Sequence, residues 1–366
     1  MKWFKYCAFL LFFSVLASCQ SQQKLTEKVP YFTSGRIDKI SNSAIKLISP
    51  GAVFAFQFSG DQVQIKMKNS SFQGYYNYVS VAIDGVYLGR YAIKNAQELT
   101  YTFQAKDSTK KSHWIEINKA TEAAMGEVVI NIADLNTIPV QLPAQKKIEW
   151  IGDSITCGFG NDESDLPCGE GQWFDQHNAY FAYGPILSRK LKAQFLLSSV
   201  SGYGMYRNWN AEPGEEDTLP EVYDYLYLRK SETAVFKDDY QPDLVSICLG
   251  TNDLSDGDGK KSRQPFSRSA YVKNYIQLVQ KIYQKYPQTR VVLLNSPMVS
   301  GEKNLLLVEC LKEVQQFFAK DENHRPIEIF QFTAVTPRGC GYHPSIEDHK
   351  QMASQLENTF KRILYE

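Results

Sequence analysis

Between about Val53 and Leu135 apolar residues recur at every second position. Phe54, Phe56 and Phe58 share one face of such a segment, and Val63, Ile65 and Met67 repeat it. Residues 78–83, 86–92, 99–104, 114–117 and 128–135 continue the alternation. Period two marks half-buried strands. Gly60-Asp61 and Asp84-Gly85 punctuate the runs, and Asp84-Gly85 is a two-residue hairpin signal. Many short strands with regular turns and no long helical stretch predict a β-sandwich, of the jelly-roll kind.

The stretch Ile138-Pro139-Val140-Gln141-Leu142-Pro143 reads as a linker, and after it the period changes. Apolar strand-length runs at 148–151, 195–197, 244–249, 291–294 and 327–330 alternate with helical patterns near 179–191, 219–227, 270–286, 305–319 and 346–364. That alternation predicts a parallel sheet with helices on both faces, a three-layer α/β domain. Residues 255–269 are polar with no apolar period and read as a mobile loop. The expected organisation is a signal segment at 1–19, a tether at 20–30, a sandwich at 31–137, a linker at 138–146 and an α/β domain at 147–366.

A chain of 366 residues exceeds what one core usually serves, in keeping with two domains. The formal net charge is +0, so bulk charge favours neither nucleic acid nor a membrane surface. Aromatic residues make up 13%; their faces suit sugar binding, and they equally suit the sandwich core. Met1 to Lys5 form a short basic region, and residues 7–16 are mostly apolar but too short to span a bilayer comfortably. Leu16-Ala17-Ser18-Cys19 follows and resembles a bacterial lipoprotein box, which implies lipidation of Cys19 and an exported, lipid-anchored protein at the periplasm or cell surface. Cys157, Cys168, Cys248, Cys310 and Cys340 remain, and Cys248 and Cys310 sit in apolar patterns as buried thiols. No cysteine or histidine spacing suggests a structural metal.

The chemistry is concentrated in three blocks. An apolar run ends in Gly152-Asp153-Ser154, a second in Gly250-Thr251-Asn252-Asp253, and Gly339-Cys340-Gly341-Tyr342-His343-Pro344 lies near the C-terminus. Open α/β sheets carry their sites at the carboxyl ends of strands, where the first two blocks fall. Together the blocks resemble the SGNH (GDSL-type) hydrolases. With a sandwich in front, they are similar to carbohydrate esterase family 2, whose members remove acetyl groups from plant polysaccharides such as xylan and glucomannan. The resemblance implies a serine esterase without cofactor or metal, acting on an acetylated polysaccharide or oligosaccharide. Ser154 would be the nucleophile and His343 the base. The oxyanion hole would be the Ser154 N–H, the Asn252 amide and the backbone of Gly202, or of Gly204 in its place. Asp253 either hydrogen-bonds loop backbone and braces Asn252 or caps a helix. His113 and His324 have no chemical companion, and His177 and His349 read as solvent-facing.

One departure stands out. Many SGNH enzymes place an aspartate two or three residues before the histidine, and this chain has Gly341 and Cys340 there. Glu347 and Asp348 follow His343 and read as helix N-terminal charges. A backbone carbonyl is therefore expected to orient His343, with a distant carboxylate as the alternative. Cys157 lies three residues after Ser154 and Cys340 three before His343, which would bring them close enough to bond; Cys157 with Cys168 is the competing pair. The rival functions are an SGNH lipase or thioesterase acting on longer acyl chains, and a glycan-binding lipoprotein with a decayed site.

Overall fold

The computed structural model describes residues 27–71, 74–237 and 240–366. The signal segment, Cys19 and most of the tether lie outside them. The N-terminal half is ten strands: β1 (Phe32–Ser34), β2 (Ile37–Ser41), β3 (Ala44–Leu47), β4 (Val53–Ser59), β5 (Gln62–Ser70), β6 (Asn77–Ile83), β7 (Val86–Ile93), β8 (Leu99–Gln104), β9 (Ser112–Lys119) and β10 (Glu127–Asn131). They form two five-stranded antiparallel sheets, β1-β4-β9-β6-β7 and β2-β3-β10-β5-β8. Setting β1 and β2 aside, the order is that of a jelly roll. The first three strands precede the region where alternation is regular, and the sequence pattern missed them. Asp84 and Gly85 both have positive φ, and Ile83 pairs with Val86 across them, as the hairpin signal required.

Phe54, Phe56 and Phe58 point between the two sheets, against Ile65, Met67, Val79, Ile115, Ile117 and Ile130. Burying one such side chain contributes about 1.5–3 kcal/mol. The alternate residues Val53 and Ala55 are also buried, and they pack on Ile148, Trp150 and Phe195 of the following domain. One sheet of the sandwich is thus covered on both faces, and every residue of β6 is buried. The linker does not swing free: Ile138 N donates to Gln57 O at 2.7 Å and Val140 N to Val29 O at 3.0 Å.

The second half has β11 (Lys147–Gly152), α1 (Ser154–Cys157), α2 (Tyr183–Lys190), β12 (Gln194–Ser199), α3 (Leu219–Val222), β13 (Leu244–Cys248), α4 (Arg268–Lys285), β14 (Arg290–Leu294), α5 (Gly301–Phe317), β15 (Glu328–Phe330) and α6 (Ile346–Tyr365). All five strands are parallel, in the order β12-β11-β13-β14-β15. Tyr271, Tyr275, Leu278 and Ile282 of α4 and Leu307 and Leu311 of α5 cover one face. Tyr183 and Leu187 of α2 and Met352, Leu356 and Phe360 of α6 cover the other. No helix among the described residues is long and apolar enough to cross a membrane.

Two helices are shorter than their patterns. The 179–191 pattern splits at Ala182, whose backbone is extended, into a 3₁₀ turn at Ala179–Phe181 and then α2. Pro185 has no N–H to donate, so a helix containing it starts within a turn of it. The 219–227 pattern yields only α3. Its capping box, Thr218 with Glu221, starts a helix, but the Tyr223 and Tyr225 carbonyls accept from the Arg36 guanidinium at 2.9 and 2.8 Å. Arg36 comes from the sandwich, and no local pattern could announce it.

Candidate active site

The strand order reverses at β11, which has β12 on one side and β13 on the other. The loops after these three strands meet there, at the switch point of the sheet. β11 ends in Gly152, where a Cβ would lie 2.0 Å from Thr156 Oγ1. Asp153 caps α1, its Oδ1 accepting from Ile155 N at 3.1 Å. Ser154 is the first residue of α1, so its N–H has no partner within the helix. Gly158, at φ 77°, ends the helix after one turn.

The loop after β12 is held tightly around Gly202. Tyr203 N donates to Val200 O at 3.3 Å and Trp209 N to Gly202 O at 2.8 Å. Gly202 has φ +81°, and its own N–H makes no hydrogen bond among the described residues. Gly204 is not equivalent: its N–H is taken by Asn208 Oδ1 at 3.0 Å. From the loop after β13, Asn252 reaches back, and its Nδ2 donates one hydrogen to Tyr203 O at 2.8 Å. An amide nitrogen carries two hydrogens, so one stays free.

Asp253 is no helix cap, since the next helix begins at Arg268. Its carboxylate accepts from Met205 N at 2.9 Å, Tyr206 N at 2.9 Å and Arg207 N at 3.3 Å. It is fully buried, and burial pushes its pKa up to about 6 against those backbone donors. The same cause raises buried Asp153 to about 7. The 255–269 segment, expected to be mobile, is anchored by Arg263, which donates to the carbonyls of Asn252, Ser255, Asn208 and Ala211 at 2.9–3.1 Å.

His343 lies on a loop folded back on itself. Gly339 N donates to His343 O and Cys340 N to Gly160 O, both at 2.7 Å. Gly341 and Tyr342 both have φ 60°. His343 Nε2 is 2.8 Å from Ser154 Oγ, and Nδ1 is 2.7 Å from the Gly341 carbonyl. A carbonyl only accepts, so Nδ1 carries the proton and Nε2 is left to accept from the serine. The half-buried ring packs on Phe159, with centroids 4.3 Å apart. Burial lowers the His343 pKa to about 4, opposed by the Gly341 carbonyl. Asp348 and Glu347 do not reach the imidazole: Asp348 forms a capping box with Ser345 and pairs with Arg338, and Glu347 meets Lys350.

Several sequence expectations need correction. Cys157 bonds neither Cys340 nor Cys168. Those two form a disulfide with each other, Cα atoms 5.1 Å apart, while Cys157 is a buried thiol donating to Ser199 Oγ. Cys157 sits on the inner side of α1 and faces β12, away from the histidine loop. His177 and His349 are fully buried, not solvent-facing. His113 and His324 do have companions, Asp84 at 2.9 Å and Asp321 at 2.6 Å. The one group of potential metal ligands among the described residues, Glu163 with Cys168 and Cys340, has its sulfurs spent in the disulfide.

Sequence reasoning also passed over Phe159 and Trp173. Trp173 is half-exposed and stacks with Phe159 at 5.9 Å. An aromatic between two glycines, Gly158-Phe159-Gly160, just after the serine was the available signal. Trp173 had none.

Comparison with known proteins places this geometry. Residues 150–345 match the GDSL-like Lipase/Acylhydrolase family, and residues 33–144 match Carbohydrate esterase 2 N-terminal. An acetylxylan esterase / glucomannan deacetylase of Cellvibrio japonicus is 29% identical over 251 residues, covering 67% of this chain and 68% of the relative. A family two carbohydrate esterase from Cellvibrio japonicus superposes with a TM-score of 0.77 at 26% identity, over 91% of this chain and 95% of that one. Another from Clostridium thermocellum, solved in complex with cellohexaose, gives 0.74 at 25% identity, over 91% and 98%.

Proposed function

We propose a function from one premise: the chain belongs to the GDSL-like lipase/acylhydrolase family and is a carboxylic-ester hydrolase of carbohydrate esterase family 2. On that premise it removes O-acetyl groups from an acetylated plant polysaccharide or oligosaccharide by serine catalysis. The observation that carries the mechanism is the 2.8 Å contact between Ser154 Oγ and His343 Nε2, with Nδ1 already committed to Gly341 O. The relatives' activity on acetylxylan and glucomannan supports the substrate class. The disulfide between Cys168 and Cys340 supports an exported protein, because such bonds persist in oxidising compartments. Lipidation at Cys19 would anchor it to a bacterial membrane.

In this mechanism Ser154 Oγ attacks the acetyl carbonyl carbon as its proton passes to His343 Nε2. The carbonyl oxygen becomes an oxyanion, met by the N–H groups of Ser154 and Gly202 and the free amide hydrogen of Asn252. One such donor is worth about 2.7–4 kcal/mol in the transition state. The tetrahedral carbon then expels the sugar oxygen, which takes the proton from His343 and leaves an acetyl-serine. Water attacks that ester, giving its proton to His343, and collapse returns the proton to Ser154 Oγ and releases acetate.

Acetate release from acetylated xylan and glucomannan tests the reading, beside hydrolysis of 4-nitrophenyl acetate and decanoate. The acetyl substrates are expected to turn over and the decanoate to be poor. Ser154→Ala should fold normally and lose about 10⁶ in kcat, the cost of removing a triad-type nucleophile. More than a tenth of wild-type turnover in that variant would take Ser154 out of the mechanism.

A further inference from the structure

Glu122 belongs to the sandwich, just after β9, yet its side chain lies in the α/β domain. It is 2% exposed. Its Oε2 accepts from Ser201 N at 2.8 Å, and its Oε1 accepts from Ser201 Oγ. The same Oε1 faces His177 Nε2 at 3.5 Å. His177 Nδ1 accepts from Gly160 N, so the neutral ring carries its proton on Nε2, toward Glu122. The backbone of Glu122 is fixed in turn, because buried Lys119 donates to its carbonyl at 2.7 Å.

Ser201 immediately precedes Gly202. Glu122 holds the amide of one, and Trp209 N holds the carbonyl of the other, with the unpartnered Gly202 N–H between the two clamps. The second contact leads to the base: His177 packs on Phe159 at 4.3 Å, and Phe159 packs on His343 at 4.3 Å. Burying a carboxylate is costly unless charge and hydrogen bonds satisfy it. A glutamate that served only to join the domains would not need to grip the residue before an oxyanion donor. A Cβ built on Gly202 would meet no atom within 4 Å, so no packed side chain at this position helps to hold the peptide.

We infer that Glu122 is a positioning residue for the oxyanion site, and that the sandwich thereby forms part of the catalytic machinery. The inference rests on Ser154 and His343 being the reacting pair. Loss of Glu122 frees the Ser201–Gly202 peptide, so the Gly202 donor no longer aims reliably at the developing oxyanion. That penalty falls on the transition state more than on the bound ester.

The test uses the full mature chain and 4-nitrophenyl acetate, with thermal melts to establish folding. Glu122→Ala is expected to lower kcat by about 10–100-fold while KM stays within about threefold. Glu122→Asp keeps the charge but draws the acceptor back by one methylene, and should show the same split at about tenfold. Glu122→Gln retains an acceptor for Ser201 N and should recover kcat to within about fivefold of wild type. If Glu122→Ala does not fold, Glu122→Asp decides alone. A folded Glu122→Ala or Glu122→Asp with kcat within twofold of wild type would overturn the inference, as would a loss carried by KM alone. Ser154→Ala is run beside them. An inactive Ser154→Ala with unimpaired Glu122 variants rejects only the role of Glu122; an active Ser154→Ala rejects the reacting pair itself.

Discussion

The two sides of the site are built by different means. On the base side, His343 is placed by chain geometry. Glycines at 339 and 341, backbone bonds and the Cys168–Cys340 disulfide hold its loop, and no carboxylate among the described residues touches the ring. On the donor side, buried charge does the placing. Asp253 accepts from the N–H groups of residues 205–207, and Glu122 accepts from Ser201, so two carboxylates grip the one loop after β12. The chemistry explains the contrast. An imidazole needs one acceptor to fix its tautomer, and a carbonyl suffices. Oxyanion donors must converge on one point from separate loops, and a loop backbone bends to a fixed shape when it wraps an acceptor.

If the donor side carries more of the rate, its variants should be the more damaging. Asn252→Ala is expected to lower kcat by about 10²–10³ with a KM change within about threefold. Asp253→Asn leaves the Asn252 amide in place but turns one acceptor into a donor facing backbone N–H groups. Its kcat should fall by about 10–100-fold, with a lower melting temperature. Steady-state kinetics on 4-nitrophenyl acetate reads both. A rise in KM alone for Asn252→Ala would make that residue a substrate-binding group instead.

The base side should be more forgiving, because its supports are redundant. Cys168→Ser, or treatment with a reductant, removes the covalent tie, but the bonds Cys340 N to Gly160 O and Gly339 N to His343 O remain. The expected loss in kcat is about tenfold, with a lowered melting temperature, since the bond closes a separation of 172 residues. Unchanged kcat in the serine variant would show that the backbone alone places His343. A loss beyond a hundredfold would reverse the contrast between the two sides.

The two sides also differed in how far they could be read from the chain. Ser154 and Asn252 sit in short blocks at strand ends and His343 in a short block just before α6, and the structure brings all three loops to one switch point. Alternation located seven sandwich strands, and the change of period located the parallel sheet. The supports were another matter. Glu122, Arg36 and His177 act across the domain interface, where sequence separation hides the partner. Cys157 and Cys340 each lie three residues from one of the proposed reacting groups, a spacing that predicts a bond between them. Counting residues does not tell which way a side chain points, and α1 turns Cys157 inward to Ser199. His177 and His349 lie in polar segments and looked exposed, yet both are buried where the helices and loops close over them.

The mildest effect expected is the response of the base to acid, and it separates a burial-tuned histidine from an ordinary one. As the proposed base, His343 acts only when neutral. Its pKa is lowered to about 4, chiefly because burial disfavours the imidazolium. The sign follows: the ring stays unprotonated as pH falls below the usual 6.5 of histidine, and activity is lost only as pH passes through the lowered value. Between pH 7 and pH 5 kcat/KM should therefore fall by less than about twofold, whereas a base with pKa 6.5 would lose about 25-fold. A carboxylate on Nδ1 would favour the charged ring and raise the pKa, so the Gly341 carbonyl belongs with an acid-tolerant profile. A pH–rate profile on 4-nitrophenyl acetate, with melting temperatures taken at each pH to exclude unfolding, reads this directly. An acid limb centred near 6.5 or above would mean that a carboxylate or open solvent reaches His343 in the working enzyme, and the contrast between a charge-free base side and a charged donor side would fail.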